Sequence, residues 1–278
     1  FDKDNPETEK FINNDTETDQ NASLTLLADD SRPRTIPDQG NILLNLRGVN
    51  LNEGSQPEDM IGIRFYIQKD RILSVEKRPL GATQMMINNL NKRATPMTTG
   101  GFIASFAQAL LENMGPTVTE LNEQADALEE NIDDSTASKS RSKIADLRRE
   151  AILLRRYIAP QRDALNTLAL QNVDYITPDD RLRIRDAADQ TTRITEELEA
   201  IRERCAIVKD QLTDMRAQLR IETHMLEDYA DMLALIEEHG GSITAISPAA
   251  PKSSAQSQKC PGTEFKLKLP LMKKVTPQ

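Results

Sequence analysis

Between Thr191 and Ile236 apolar residues recur at alternating steps of three and four, with charged residues filling most positions between them. One row reads Thr191, Leu198, Cys205, Leu212, Leu219, Leu226, Leu233; the other reads Ile194, Ile201, Val208, Met215, Glu222, Tyr229, Ile236. Residues three and four apart share a helix face, so the spacing predicts one long coiled-coil-like stalk helix with a narrow apolar seam. At 1.5 Å per residue it would run roughly 70 Å. Such a seam needs covering helices from the same chain, from other copies, or from both. Leu198, Ile201, Cys205, Val208, Leu212, Met215 and Leu219 are the expected interface residues. Thr177-Pro178-Asp179-Asp180 supplies a cap, a proline at the first helical position and acids in the first turn. Gly240-Gly241 marks the end.

Upstream the pattern changes twice. Arg32-Pro33-Arg34 and Pro37-Asp38-Gln39-Gly40 read as turns, and Ile42 to Leu46 is a short apolar run of the kind a buried strand shows. Ile61 to Gln68 and Arg71 to Lys77 alternate apolar and polar residues about Lys69-Asp70, predicting a hairpin with one buried face. Gly81 to Leu90 reads as a short helix over the sheet. From Gly101 the spacing is helical through Phe102, Phe106, Leu110, Leu121, Leu128 and Ile132, with Pro116 placed to begin or kink a segment. A turn over Asp133 to Ser142 leads to a second helix from about Ser142 to Ala169 that contains Pro160, antiparallel to the first. The expected fold is α/β (α+β): a small, mainly antiparallel sheet covered by helices, then long antiparallel helices and the stalk. The expected segments are 1–100 (sheet domain, incomplete at its amino end), 101–176 (helical hairpin), 177–239 (stalk) and 240–278. The last lacks periodicity and is expected to be a disordered basic tail.

Composition fits extended helices better than a large compact core, with 38% hydrophobic and 4% aromatic residues in 278. A net charge of −9 argues against a nucleic-acid surface. The charge is uneven: Glu120 to Asp134 holds seven acidic residues and no basic one, whereas six lysines follow Pro248. His224 and His239 are the only histidines, both near the stalk's end, so no Ser-His-Asp or Cys-His arrangement can be placed in the sheet domain. Neither G-x-G-x-x-G nor G-x-x-x-x-G-K-[ST] occurs, and Gly100-Gly101 reads as a linker at a helix start. No enzyme and no bound cofactor are expected. Cys205 falls on the seam and Cys260 in the tail, which implies neither a disulfide framework nor a closed zinc site. Two groups of oxygen and imidazole ligands could gather divalent cations: Glu222, His224 and Asp228 on neighbouring stalks, and Glu123, Asp126 and Glu130 on the acidic helix. No apolar run approaches the ~20 residues that cross a bilayer as a helix.

Three ordered blocks carry a family resemblance. GNILLNLRGVNLNEGSQPEDMIGIRFYIQKDRILSVEKRPL at 40–80, LRRYIAPQRDALNTL at 154–168 and TRITEELEAIRERCAIVKDQLTDMRAQL on the stalk resemble ZntB-type zinc transporters, a branch of the CorA family of divalent cation transporters. The resemblance covers roughly residues 1–219. It implies a cytoplasmic α/β domain at the bacterial inner membrane, five copies forming a funnel, and stalks leading into two membrane helices that conduct the ion. It favours zinc over magnesium; the residue chemistry, poor in Cys and His, does not choose. Neither the basic segment after the stalk nor the Gly-Met-Asn or Gly-Val-Asn pore loop between membrane helices is found in its place. Gly48-Val49-Asn50 follows a predicted strand instead. The tail after about Leu219 is therefore expected to be foreign to the family, as in a fragment or a frame-altered product. The chain as it stands would be soluble and cytoplasmic. The alternative reading is a soluble, non-transporting scaffold or interaction protein.

Overall fold

The computed structural model describes residues 1–15, 18, 20–28, 32–92, 98–130, 137–238, 242–246 and 264–268. It divides into two compact units, Phe1–Asp210 and Gln211–Gln278. His239, Cys260, Ile132 and residues 133–136 of the expected turn lie outside the described residues, and the rest of that turn, 137–142, is helical.

The first unit opens with two short helices, α1 (Pro6–Asn14) and α2 (Gln20–Leu27). The Asn5 side chain caps α1 by accepting from the Glu7 N–H at 2.9 Å, and Pro6 takes the first helical position, where its missing N–H costs nothing. Four strands follow as an antiparallel meander: β1 (Arg34–Asp38), β2 (Asn41–Gly48), β3 (Ile61–Ile67) and β4 (Ile72–Glu76), paired in that order. β1 had been expected as turns. Pro37 is tolerated in it because β1 is an edge strand. The two-residue turn to β2 needs positive φ at both positions, and Gln39 (47°) and Gly40 (89°) adopt it. The hairpin about Lys69-Asp70 forms as expected, with Ile67 opposite Ile72.

Period-two alternation gives the sheet two buried faces. On one, Leu43, Tyr66, Leu73 and Val75 pack with Ile12, Ala22 and Leu26 of α1 and α2. On the other, Phe65 meets Phe106 edge to face at 4.8 Å between ring centres. Phe106 belongs to α4 (Thr99–Glu130), which follows α3 (Gly81–Asn91). α4 runs through Pro116, and α5 (Ala137–Ala169) runs through Pro160 and begins five residues before the expected Ser142. α5 is fastened to the sheet edge: Thr35 Oγ1 donates to the Ala164 carbonyl at 2.6 Å, and the Arg47 N–H donates to Gln161 Oε1 at 2.6 Å.

α6 (Pro178–Glu238) begins at the predicted signal. The Asp180 N–H donates to Thr177 Oγ1 (3.2 Å), while the Thr177 N–H and hydroxyl both donate to Asp180 Oδ2 (3.0 and 2.8 Å). This is a reciprocal cap with Asp in place of the usual Glu. Arg181 donates to the carbonyls of Ala169, Gln171 and Val173, closing the α5–α6 connection. Gly100 lies inside the first turn of α4 rather than in a linker: a Cβ there would stand 2.7 Å from Asp180 Oδ2 and 3.0 Å from Ile176 Cα. Only glycine permits that approach of α4 to the start of α6.

The second unit holds the rest of α6 and two strands, β5 (Ser242–Ile246) and β6 (Glu264–Lys268), paired antiparallel. The stretch 240–278, expected to be disordered throughout, thus carries two strands among its described residues. β-branched residues in S-I-T-A-I and alternation in E-F-K-L-K suit an extended chain.

Candidate assembly seam and cation-facing helices

Each of the seven expected seam residues sits on α6, and their surroundings change along it. Leu198, Ile201, Cys205, Val208 and Leu212 are buried in the single chain, Met215 is half-buried, and Leu219 is exposed. Beyond it Ile221, Met225, Leu226, Tyr229, Met232 and Leu233 are exposed as well. Within the first unit, α4 and α5 are tied to α6 along this part. Arg183 of α6 donates to Ser105 Oγ (2.8 Å) and Gln108 Oε1 (2.9 Å) of α4, and Arg155 of α5 pairs with Glu199 at 2.9 Å. Burial pushes the Cys205 thiol above its ordinary range, so it fills space as a neutral group.

The acidic helix is partly spoken for. Arg204 of α6 bridges Asp126 and Glu129 of α4, the latter at 3.0 Å, and these carboxylates hold its pKa up. Glu123 and Glu130 are exposed on the same helix. Glu222 accepts from Gln218 Nε2 at 3.1 Å, and His224 Nδ1 stands 3.7 Å from Glu227 Oε2, all on exposed side chains. At about 100° per residue, Glu222 points away from the side that His224 and Asp228 share. One copy of the helix therefore does not bring the three together. Among the described residues no group of three or more His, Cys, Asp or Glu side chains could hold a metal ion.

A different carboxylate grouping escaped sequence reasoning. Glu150 of α5 has its pKa pushed up to about 7, first by burial and then by the charges of Glu58, in the β2–β3 connection, and Glu120 of α4. Three elements far apart in sequence meet there, and no local spacing announces it.

With this geometry established, the sequence decides the family. Residues 1–226 match the family model described as CorA-like Mg2+ transporter protein. The chain belongs to the CorA-like family.

Its relatives divide by named cargo. This CorA-like chain is 33% identical over 213 residues to the divalent cation transporter CmaX of Pseudomonas aeruginosa, covering 76% of this chain and 64% of CmaX. It is 26% identical over 213 residues to the zinc transport protein ZntB of Pectobacterium carotovorum, covering 77% and 65%. The chain thus spans just under two thirds of the length of these curated relatives. The full-length CmaX structure matches with a TM-score of 0.80 at 28% identity, over 86% of this chain and 73% of that one. The ZntB cytoplasmic domain of Vibrio parahaemolyticus matches at 0.71 and 25%, over 78% and 86%. The antiparallel sheet with its helices and long final helix is the fold of those proteins. Among the described residues no helix is long and apolar enough to cross a membrane. The family is one of ion transporters, not of enzymes.

Proposed function

We propose that this chain is the cytoplasmic funnel-and-stalk part of a CorA/ZntB-type divalent cation transporter at the bacterial inner membrane, assembled from five copies. The carrying observation is the seam of α6. Its heptad spacing continues past Leu212, while full burial of its residues in the single chain stops there. A row of exposed leucine, methionine and tyrosine at coiled-coil spacing is a surface for further copies of itself. In this reading Leu198 to Leu212 hold the protomer together, and Met215, Leu219 and the residues beyond hold the copies together.

Zinc is the proposed cargo before magnesium, supported by the names of the ZntB relatives. Glu123, Glu130, Glu222, His224 and Asp228 would concentrate cations by diffuse attraction, with Asp126 held back by Arg204. The pore is assigned to the third of the relatives' length that this chain does not match.

The test is the solution mass of the purified chain by light scattering after size exclusion, in chelator, in millimolar zinc and in millimolar magnesium. A mass of five chains is expected, with zinc shifting the assembly more than magnesium. A monomer at every protein concentration and in every buffer overturns the reading.

A further inference from the structure

The charge of the chain is −9, yet one pocket of the sheet domain has the opposite sign. It encloses about 170 Å³ at the end of the sheet nearest the β2–β3 connection, and among the described residues its charged lining is Lys3, Arg47, Arg64, Lys77 and Arg78 against the carboxylate of Asp59. Five cations gathered on one small concavity of an acidic protein are not an average surface.

The strand register explains how they converge. Arg47 of β2 lies directly opposite Gly62 of β3, and because Ile63 lies opposite Glu76, the next step of the ladder brings Gly62 alongside Lys77. Side chains at directly opposed positions stand about 5 Å apart, and like charges there repel. Here glycine separates two cations, and a Cβ built on Gly62 would meet no atom within 4 Å. Two residues along β3 on the same face is Arg64, only 3% exposed. Opposite Arg64 stands Asn45, also 3% exposed, whose amide oxygen and nitrogen both lack a hydrogen-bond partner. The polar row therefore continues behind the pocket wall. Part of the basic set is already positioned: the Arg47 guanidinium donates to the Met60 carbonyl at 3.0 Å and lies 4.1 Å over the Tyr157 ring, and Lys77 Nζ stands 3.9 Å from Asp4 Oδ1.

We infer that this pocket binds an oxyanion of the phosphate class, seated over Gly62 between Arg47, Arg64 and Lys77. Guanidinium forks match tetrahedral oxyanions geometrically, and the open glycine lets the anion approach the strand. The volume is below the roughly 300–1,000 Å³ of pockets that enclose drug-sized ligands, so the site takes phosphate, pyrophosphate or the terminal phosphate of a larger molecule.

The probes are inorganic phosphate and pyrophosphate, titrated calorimetrically into the full chain in chloride buffer, with phosphatidic acid vesicles in a parallel sedimentation arm. Saturable binding of free pyrophosphate at one site is expected. Lys77→Gln should weaken it about tenfold or more, the scale of one charge-assisted hydrogen bond, and Gly62→Glu, which fills the space with a carboxylate, should abolish it. Lys77 is exposed and the Cβ direction at Gly62 is open, so both variants should melt as the parent does. Vesicle binding that both variants lose, and that free pyrophosphate fails to reproduce, would assign the same pocket to a lipid phosphate. Absence of saturable binding in both arms, equal binding by both variants, or equal competition by chloride overturns the inference.

Discussion

Thr191 to Leu212 and Leu219 to Leu233 carry one heptad spacing, yet Leu198 and Ile201 are sealed at 0% exposure while Leu226 stands 68% exposed. The part of the first stretch within the first unit has α4 and α5 tied to it through Arg183, Arg155 and Arg204. Periodicity states that a helix needs a partner along one line. Whether that partner is the same chain or another copy depends on where other helices end, and α4 ends at Glu130. In the proposed reading, one stretch serves folding of the protomer and the other association of copies.

The sharpest way to break this division is a matched pair of truncations. Leu198→Ala opens a cavity in a packed core and should cost about 2–5 kcal/mol, seen as a lowered melting midpoint at any protein concentration. Leu226→Ala should leave the midpoint of the dilute chain in place and lower only the assembled mass. Equal effects on midpoint would show that the two stretches do one job. Gly100→Ala probes the packing beneath the start of α6. Its Cβ has Ile176 and Asp180 in its way, and overpacking of this kind costs about 1–3 kcal/mol in chemical denaturation.

A smaller effect should depend on pH. The Glu150 pKa is raised from 4.5 to about 7 in the fold, so the protonated form is the one the fold favours. No penalty exists below the unfolded value; ionisation then costs stability as pH rises through about 7. Glu150→Gln should raise the melting temperature at pH 8 and leave it nearly unchanged at pH 4.5. A shift of equal size at both would trace the effect to packing. Smallest is Arg204→Ala, which removes a half-exposed bridge to Asp126 and Glu129 worth about 0.2–1 kcal/mol and weakening in salt.

Much of this architecture was readable from the residues. Alternation about Lys69-Asp70 gave the hairpin, and Thr177 to Asp180 marked the start of α6 to the residue. What escaped were elements whose stability is borrowed. α1 and α2 are too short to hold as isolated helices, and they persist because Ile12, Ala22 and Leu26 are buried against Leu43 and Tyr66. β1 was hidden by Pro33 just before it and by Pro37 within it, which an edge strand tolerates. Pro116 suggested the start or a kink of a segment, in a helix that runs on through it, whereas Pro160 was expected inside its helix and lies there. On the functional side, residue types named the acidic helix but could not show that Arg204 occupies Asp126, nor that Glu58, Glu120 and Glu150 converge. The partners lie tens of residues away, beyond any local period.

The bond from Thr35 Oγ1 to the Ala164 carbonyl spans 129 residues. During synthesis the meander of β1 to β4 needs only its own short turns to pair, and it can do so while α5 is still untranslated. Until residue 164 leaves the ribosome, the sheet lacks the helix that fastens its β1 edge and part of its cover on the Leu44 and Phe65 face. A stalled nascent chain with only residues 1–130 outside the exit tunnel should therefore be cut readily by protease within the sheet, and one exposing residues 1–180 should resist. The length of time the ribosome takes to cover that interval is the window in which a chaperone would find this protein.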